Sequence, residues 1–292
     1  ALYVADRDSC AVLARAHERG GLPASLLELQ LYQVLGGGPH LPRALGALSR
    51  LTLLSLSDCE FTPAGEESWR PLRSLTALRS LQLVMACLEE LPAALGALTA
   101  LTSAVLQCHR LRGALDPLVP LAASLRQLTL HPARVPRPSA LTALTALEEL
   151  TLFFGEVEEY VVPAELVVVE PGPHLHRLRD LCVITRRDGD ALVDLRRRLV
   201  EPLRAATALT ALGFEEIEGP SAVLLTMDRV DDLLAGKPAL RHFVFQKEHA
   251  LEFDLDLEAL RARHPAVEFE LGGYEWWTTP LEEEEEEEEE DV

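Results

Sequence analysis

The chain repeats one spacing of apolar residues. A leucine is followed three residues later by an apolar residue, and a further apolar residue comes two residues after that one. Side chains two apart on a strand point the same way, so each repeat predicts a short strand that buries its last two apolar positions. The first position is Leu26, Leu51, Leu78, Leu101, Leu125, Leu147, Leu178, Leu209 and Leu240, with His264 in the tenth unit. The second is Leu29, Leu54, Leu81, Ala104, Leu128, Leu150, Leu181, Leu212, Phe243 and Val267, and the third is Leu31, Leu56, Leu83, Leu106, Leu130, Leu152, Val183, Phe214, Phe245 and Phe269.

Successive units are 22 to 31 residues apart. A unit of that size cannot bury its own apolar face, so it is stable only when it stacks on its neighbours. The pattern therefore predicts one continuous α/β solenoid over residues 22–271, a horseshoe with about ten parallel strands on its concave face.

The segments between the predicted strands differ along the chain. Up to about residue 152 they are short, which favours loops or single turns on the convex side. Three later steps are 31 residues long, which leaves room for helices in the second half of the chain. There we expect helices over residues 188–204, 221–235 and 255–263, with Gly236 ending the second. We expect residues 1–21 to form a helical cap or a truncated upstream unit, residues 272–281 a C-terminal cap, and residues 282–292 an acidic disordered tail.

Two linking segments carry a family signature. Residues 41–48 and 91–98 both have the form LPxxLGxL. With the strand pattern, they make the chain resemble the leucine-rich-repeat proteins, especially the plant-type members, which implies the horseshoe fold. In that family an Asn or Cys usually follows three residues after the last strand leucine, and its side chain bonds the adjoining turn. Here those positions hold Cys59, Ala86, His109, Ala133, Gly155, Arg186, Ile217 and Glu248, so we expect irregular turns without an asparagine ladder.

Charge and composition narrow the classes of partner. The formal net charge is −20, and the ten acidic residues from Glu282 to Asp291 carry half of it. So acidic a chain argues against nucleic acid or an anionic membrane as ligand. No apolar run reaches the ~18 residues that a bilayer span needs, and no signal peptide is visible. Five widely spaced cysteines and the absence of Asn favour an intracellular, reducing compartment, cytoplasmic or nuclear.

Nothing in the sequence assembles a catalytic centre, and we expect no enzyme activity, no cofactor and no metal. His174 and His176 form only a weak metal-site candidate. The glycines from Gly36 to Gly38 lack the Lys and Ser/Thr of a phosphate-binding loop. The arginines at 186, 187, 196–198 and 204 fit a solvated helix face better than a phosphate site. Tyr274, Trp276 and Trp277 fit a cap over the end of the core better than a partner anchor.

Residues that flank the buried strand positions must face the concave surface. We expect a protein partner to bind there, because aromatic side chains amid small polar residues are the usual anchors of an interface. The predicted binding residues are Tyr32, Gln82, Gln107, Gln127, His131, Glu149, Phe153, His242 and Gln246.

The leading hypothesis for function is an intracellular protein-recognition or scaffolding module. The alternatives are a ubiquitin-ligase substrate receptor whose F-box lies upstream, a small-GTPase activator, and a chaperone that holds basic proteins with the acidic tail. A tail after leucine-rich repeats is similar to the arrangement in acidic leucine-rich nuclear phosphoproteins and in Ran GTPase activators. That resemblance is compositional, and it assigns a role to no residue here.

Deleting the chain from Glu282 onward should leave the melting temperature nearly unchanged at physiological salt, because nine adjacent glutamates have nothing apolar to bury. Thermal unfolding followed by circular dichroism, with the full chain as control, tests this. A fall of more than about 4 °C, the order of a 1 kcal/mol loss, would mean instead that the tail docks on the solenoid.

Overall fold

The backbone forms one open sheet of eleven parallel strands, hydrogen-bonded in the order in which they occur along the chain. This computed structural model describes residues 2–5, 25–32, 43–57, 66–85, 88–108, 111, 115–132, 139–154, 171–185, 201–216, 227–246 and 256–272. The strands are β1 (Leu2–Ala5), β2 (Glu28–Tyr32), β3 (Leu53–Ser57), β4 (Ser80–Val84), β5 (Ser103–Cys108), β6 (Gln127–Pro132), β7 (Glu149–Phe154), β8 (Asp180–Thr185), β9 (Ala211–Glu216), β10 (His242–Gln246) and β11 (Glu268–Gly272).

Ten of these strands are the predicted ones, and β1 is an addition that the leucine pattern did not reveal. It pairs in parallel with β2, placing Leu2 opposite Leu29 and Val4 opposite Leu31. Of the N-terminal cap predicted over residues 1–21, only the residues of β1 are described, and they form a strand. The helix predicted over residues 188–204 is described only from residue 201, and residues 273–281 of the C-terminal cap and the acidic tail lie outside the described residues.

The two inner positions of every strand stack in register along the sheet. Leu81, for example, lies opposite Leu54 on one side and Ala104 on the other. All nine first-position leucines are buried as well, and the buried side chains from Leu26 to Phe269 form one cluster. The core is therefore a continuous column between sheet and convex side, as stacking of incomplete units requires.

The chain reaches each strand through turns whose period is three residues. Leu48 N–H donates to the carbonyl of Leu45 at 3.0 Å, and Leu51 N–H donates to that of Leu48 at 2.9 Å. The same bonds recur in later units, as from Leu78 to Leu75. Residues three apart in a 3₁₀-type turn lie on the same side, so this leucine spacing points every third side chain into the core.

Neighbouring units are joined by a carbonyl at the start of each strand. The carbonyl of Thr52 accepts two N–H groups of the next unit, from Arg79 at 2.8 Å and from Ser80 at 2.9 Å. Threonine hydroxyls reinforce this ladder, as where Thr52 Oγ1 donates to the carbonyl of Leu27 at 2.9 Å. The arrangement repeats at the carbonyls of Leu27, Thr52, Arg79, Thr102, Arg126, Glu148, Arg179 and Thr210. The positions where the family has its asparagine ladder all lie outside the described residues.

The convex side changes from 3₁₀ to α-helix along the chain. Its 3₁₀ helices are η1 (Arg43–Ala47), η2 (Glu66–Ser74), η3 (Ala93–Ala97), η4 (Asp116–Leu121) and η5 (Pro173–His176), and its α-helices are α1 (Ser139–Thr142), α2 (Glu201–Leu203), α3 (Met227–Leu234) and α4 (Leu257–Arg263). Gly236 has φ of +77°, a left-handed conformation that suits the end of α3. The Asp256 side chain caps α4 by accepting from Ala259 N–H at 2.9 Å.

The predicted register of the last unit was wrong by two residues. Phe269 lies opposite Phe243, and Leu271 lies opposite Phe245. The register therefore gives the inner positions of β11 to Phe269 and Leu271, and not to Val267 and Phe269. A shift of two residues keeps the same side chains facing inward, so the apolar pattern alone could not detect it. His264, the predicted first position, instead bonds Asp231 of α3, with 2.7 Å between Nε2 and Oδ1.

Replacing Leu81 or Leu150 by Ala should lower the free energy of unfolding by about 2 to 5 kcal/mol each. Both side chains are 1% exposed and are held between neighbouring units, so truncation opens a cavity that the sheet cannot close. Urea unfolding measures the loss. Gln82→Ala, on the other face of β4, is the control and should cost less than about 1 kcal/mol. Losses below that value at both leucines would contradict the register.

Candidate protein-binding face

Three rows of side chains cross the concave surface, because each strand exposes the residue before, between and after its two inner positions. β5 shows the alternation, with Ala104, Leu106 and Cys108 buried and the residues between them half exposed. The first row is Glu28, Leu53, Ser80, Ser103, Gln127, Glu149, Asp180, Ala211, His242 and Glu268. The middle row is Gln30, Ser55, Gln82, Val105, Thr129, Thr151, Cys182, Gly213, Val244 and Glu270, and the last row is Tyr32, Ser57, Val84, Gln107, His131, Phe153, Ile184, Glu215, Gln246 and Gly272.

The register places all nine predicted binding residues in these rows. Gln127, Glu149 and His242 are in the first row and Gln82 is in the middle row, while the last row holds Tyr32, Gln107, His131, Phe153 and Gln246. The side chain of Gln246 lies outside the described residues. Among the others, Tyr32 is 39% exposed.

An aromatic stack lies at the middle of the last row. The rings of His131 and Phe153 are parallel to within 6°, with their centroids 4.1 Å apart. Adjacent strands are separated by ~4.8 Å, so flat rings at matching positions naturally fall into stacking contact. Gln107 extends the group, with 3.2 Å between its Nε2 and Nε2 of His131. His131 is only 8% exposed as a result, and Phe153 is half buried. The two rings are thus one rigid platform, whereas the sequence suggested two separate exposed anchors.

The concave floor is not equally accessible along its length. In the middle row, Gln82, Val105 and Thr129 are half exposed. Further along, Cys182 is 0%, Ile184 4% and Val244 3% exposed. The middle and last rows are therefore partly accessible from β2 to β7, except at Ser55 and His131, which are each 8% exposed, and they are closed at these later positions. The first row stays accessible beyond them, since the His242 side chain is 54% exposed.

Sequence reasoning missed the apolar part of this floor. Val84, Val105, Ile184 and Val244 lie in the outward rows. They were left out because apolar residues were assumed to face the core. Applying the alternation to every strand, whatever its residue types, would have found them.

Neutral donors hold two carboxylates of the first row, those of Glu149 and Asp180. Gln127 Nε2 donates to Glu149 Oε2 at 2.9 Å, and Thr210 Oγ1 donates to Asp180 Oδ1 at 3.0 Å. At the far end, His242 Nδ1 lies 3.4 Å from Glu268 Oε2, with both side chains more than half exposed. These bonds fix the direction of the acidic groups on the concave surface.

The other candidates fare differently. His174 is 0% exposed, and neither of its ring nitrogens has a hydrogen-bond partner. Its neighbour His176 is exposed. No group of three or more His, Cys, Asp or Glu side chains among the described residues could hold a metal ion. Except for the exposed Arg204, the predicted arginine cluster lies outside the described residues, as do the glycines at 36–38 and the aromatics after β11.

Comparison with known proteins gives a fold but no sequence family. No family model matches the chain, and no curated protein matches it. Among solved structures, the Toll–Spatzle complex of Drosophila matches with a TM-score of 0.56 and 14% identity, over 84% of this chain and 32% of that one.

The chain is a leucine-rich-repeat solenoid.

Two further leucine-rich-repeat structures match this solenoid. One is a protein of Leptospira interrogans, with a TM-score of 0.35 and 17% identity, over 84% of this chain and 65% of that one. The other is a plant peptide hormone receptor in complex with RGF2, with a TM-score of 0.42 and 14% identity, over 87% of this chain and 48% of that one. The solenoid thus spans about a third to two thirds of these chains. In the described part of it, no helix is long and apolar enough to cross a membrane.

The buried His174 should make the solenoid sensitive to acid. Burial, and to a smaller extent the neighbouring His176, lowers the pKa of His174 from 6.5 to about 4. Between pH 6.5 and 4 the His174 side chain is protonated in the unfolded chain but stays neutral in the folded chain. The free energy of unfolding therefore falls by about 3 kcal/mol as the pH drops to 4.

Urea unfolding of wild type and His174→Leu between pH 7.5 and 4 checks this. The variant should lose less stability than wild type over that interval by about the amount above. His176→Gln removes only the smaller cause of the shift, so it should keep most of the acid sensitivity of wild type. Identical pH profiles for His174→Leu and wild type would contradict the assignment.

Proposed function

We propose that this solenoid is an intracellular protein-recognition module whose concave face binds a protein partner, and that its activity is binding and not catalysis. The observation that carries the proposal is the His131–Phe153 platform, with ring centroids 4.1 Å apart, on the accessible part of the sheet. Rigid aromatic groups amid small polar side chains are typical anchors of interfaces. A solenoid needs its inner leucines for stability, but it does not need aromatic rings on its outward rows.

A preformed surface favours this function. Every strand from β2 to β10 is hydrogen-bonded on both sides, so the backbone beneath the outward rows is already ordered before a partner arrives. Side chains on such a surface lose little freedom on binding, which lowers the entropic cost of association. The fold alone therefore suits recognition.

The accessible area indicates how a partner must sit. Six strands from β2 to β7, at ~4.8 Å spacing and about 17 Å long, give a floor of roughly 400 Å². A standard interface needs about 800 Å² per partner. A partner must therefore also contact the first row beyond β7, where His242 is exposed, or the neighbouring rim of the sheet.

An intracellular location is part of the proposal. It rests on the five widely spaced cysteines and on the complete absence of Asn, and thus of N-glycosylation sites. The two cysteines that the structure describes, Cys108 and Cys182, are both buried.

Replacing His131 and Phe153 together by Ala should weaken partner binding more than tenfold, about 1.4 kcal/mol, without unfolding the chain. The matched control is Val119→Ala with His176→Ala, which removes two exposed side chains of the convex helices. Quantitative affinity purification from cell extract would identify proteins retained by wild type and control but lost by the concave variant. Titration of one purified protein would then give dissociation constants.

Circular dichroism and urea unfolding must show that both variants are folded. Unchanged affinity in the folded concave variant, with a loss in the convex control, would move the binding site to the convex side.

A further inference from the structure

Positive charge is excluded from the concave rows. Lys and Arg make up 27 of the 292 residues, yet none stands in the three outward rows of β2 to β11. Acidic residues with described side chains stand there five times, at Glu28, Glu149, Asp180, Glu268 and Glu270. The charged residues that the strand register places on the concave face therefore make it negative, independently of the acidic tail.

Four described arginines stand at one rim of this face. Arg79, Arg126, Arg179 and Arg241 each stand one residue before the first row, at the start of a strand. Arg126 forms an ion pair with Glu148, which is also outside the rows. Arg241 donates to the carbonyls of Pro238 and Leu240, at 3.0 and 2.8 Å. These contacts direct the two guanidinium groups to the rim and away from the concave carboxylates.

Two of the carboxylates are neighbours, and among the described residues neither forms an ion pair with a cation. Glu149 and Asp180 lie opposite each other on β7 and β8. Their hydrogen bonds come from Gln127 and Thr210, which are uncharged. Like charges at opposed positions of a sheet repel each other, and a cation placed between them would remove that cost.

Phe153 is a second feature that suits a cation, through the part of its half-buried ring that His131 does not cover. Phe153 occupies the last row of the same strand as Glu149, four residues further on, at a distance of ~13 Å. Arg and Lys side chains bind over aromatic faces, and a guanidinium stacks on them particularly well. Two cationic side chains of one extended segment can span such a distance.

We infer that the concave face binds a positively charged polypeptide segment, with one Arg or Lys side chain between Glu149 and Asp180 and another at the Phe153 platform. The inference rests on the proposed function and adds the chemistry of the partner to it. Charge complementarity selects this occupant, because an acidic protein or a phosphate-bearing ligand would be repelled by every charged group of the rows.

The test uses fluorescein-labelled peptides of twelve residues with alternating Gly and Arg, Gly and Lys, or Gly and Glu, and full-length protein at physiological salt. Glu149→Gln with Asp180→Asn removes the concave pair. Glu89→Gln with Glu90→Gln removes two exposed carboxylates outside the rows, and it leaves the same net charge and the same tail. Fluorescence anisotropy gives the dissociation constant of each peptide.

We expect the concave variant to bind the Arg peptide at least tenfold more weakly than wild type, and the control variant to bind within twofold of wild type. None of the three proteins should bind the Glu peptide. The Asn and Gln replacements keep hydrogen-bonding groups and relieve a repulsion, so the variant should be folded; Asp180→Asn alone is a milder second variant. An equal loss in both double variants would mean general attraction to an acidic protein and would overturn the inference.

Zero-length carbodiimide cross-linking of the Lys peptide locates it directly. Mass spectrometry should find cross-links at Glu149 or Asp180, and cross-links confined to residues 282–291 would overturn the inference. The outcome also separates the two proposals. If the native partner is lost by the His131 and Phe153 variant but kept by the Glu149 and Asp180 variant, the binding face stands and its preference for a basic segment fails.

Discussion

The rest of the solenoid depends on the carbonyl directly before each strand from β2 to β9, which accepts two N–H groups from the following unit. It fixes both the separation of adjacent strands and their phase, as the carbonyl of Thr52 does for Arg79 and Ser80. With the phase fixed, Leu81 must lie between Leu54 and Ala104. A slip of one residue would turn every inner leucine outward, so the ladder and the apolar column require each other.

The parts of the fold that follow from this repeat could be predicted, and the parts that depend on its ends or exceptions could not. The nine first-position leucines are buried as expected because leucine at three-residue spacing suits the 3₁₀ turns that lead into each strand. β1 was missed because the unit's first leucine would precede Ala1. The register of β11 was misjudged because Val267 and Phe269 fit the period of two as well as Phe269 and Leu271 do.

Lys237 is an exception of another kind. It occupies the turn position that holds Leu48 or Leu75 in other units, and it is 6% exposed. Its Nζ donates to the carbonyl of Leu203 at 3.0 Å, at the end of α2. Burial, and then the nearby Arg204, lowers the pKa of its ammonium group. The repeat pattern alone predicts an apolar residue at this turn position. The buried ammonium group is stabilised because the fold brings the free carbonyl at the end of α2 next to it.

The side of the sheet that each candidate residue faces could be predicted from the sequence, but the contacts between these side chains could not. Alternation alone assigned Phe153 and His131 to one face. Stacking depends on which residues the register makes neighbours, and so on the spacing between successive units, which varies from 22 to 31 residues. Cys182 and Val244 are buried although they lie in the outward rows. The alternation of residues along the strands gives no indication of this burial.

Charge acts on two length scales in this molecule. The net charge of −20 attracts any basic protein from a distance, and this attraction is screened beyond ~8 Å at physiological salt. It can raise the rate of encounter but cannot select one partner. Selection requires short contacts in a fixed arrangement, and the solenoid supplies them where rigid strands hold Glu149 and Asp180 side by side. Because the ladder holds those strands, the same backbone bonds that order the core also fix the separation of Glu149 and Asp180, on which the proposed binding of a basic segment rests.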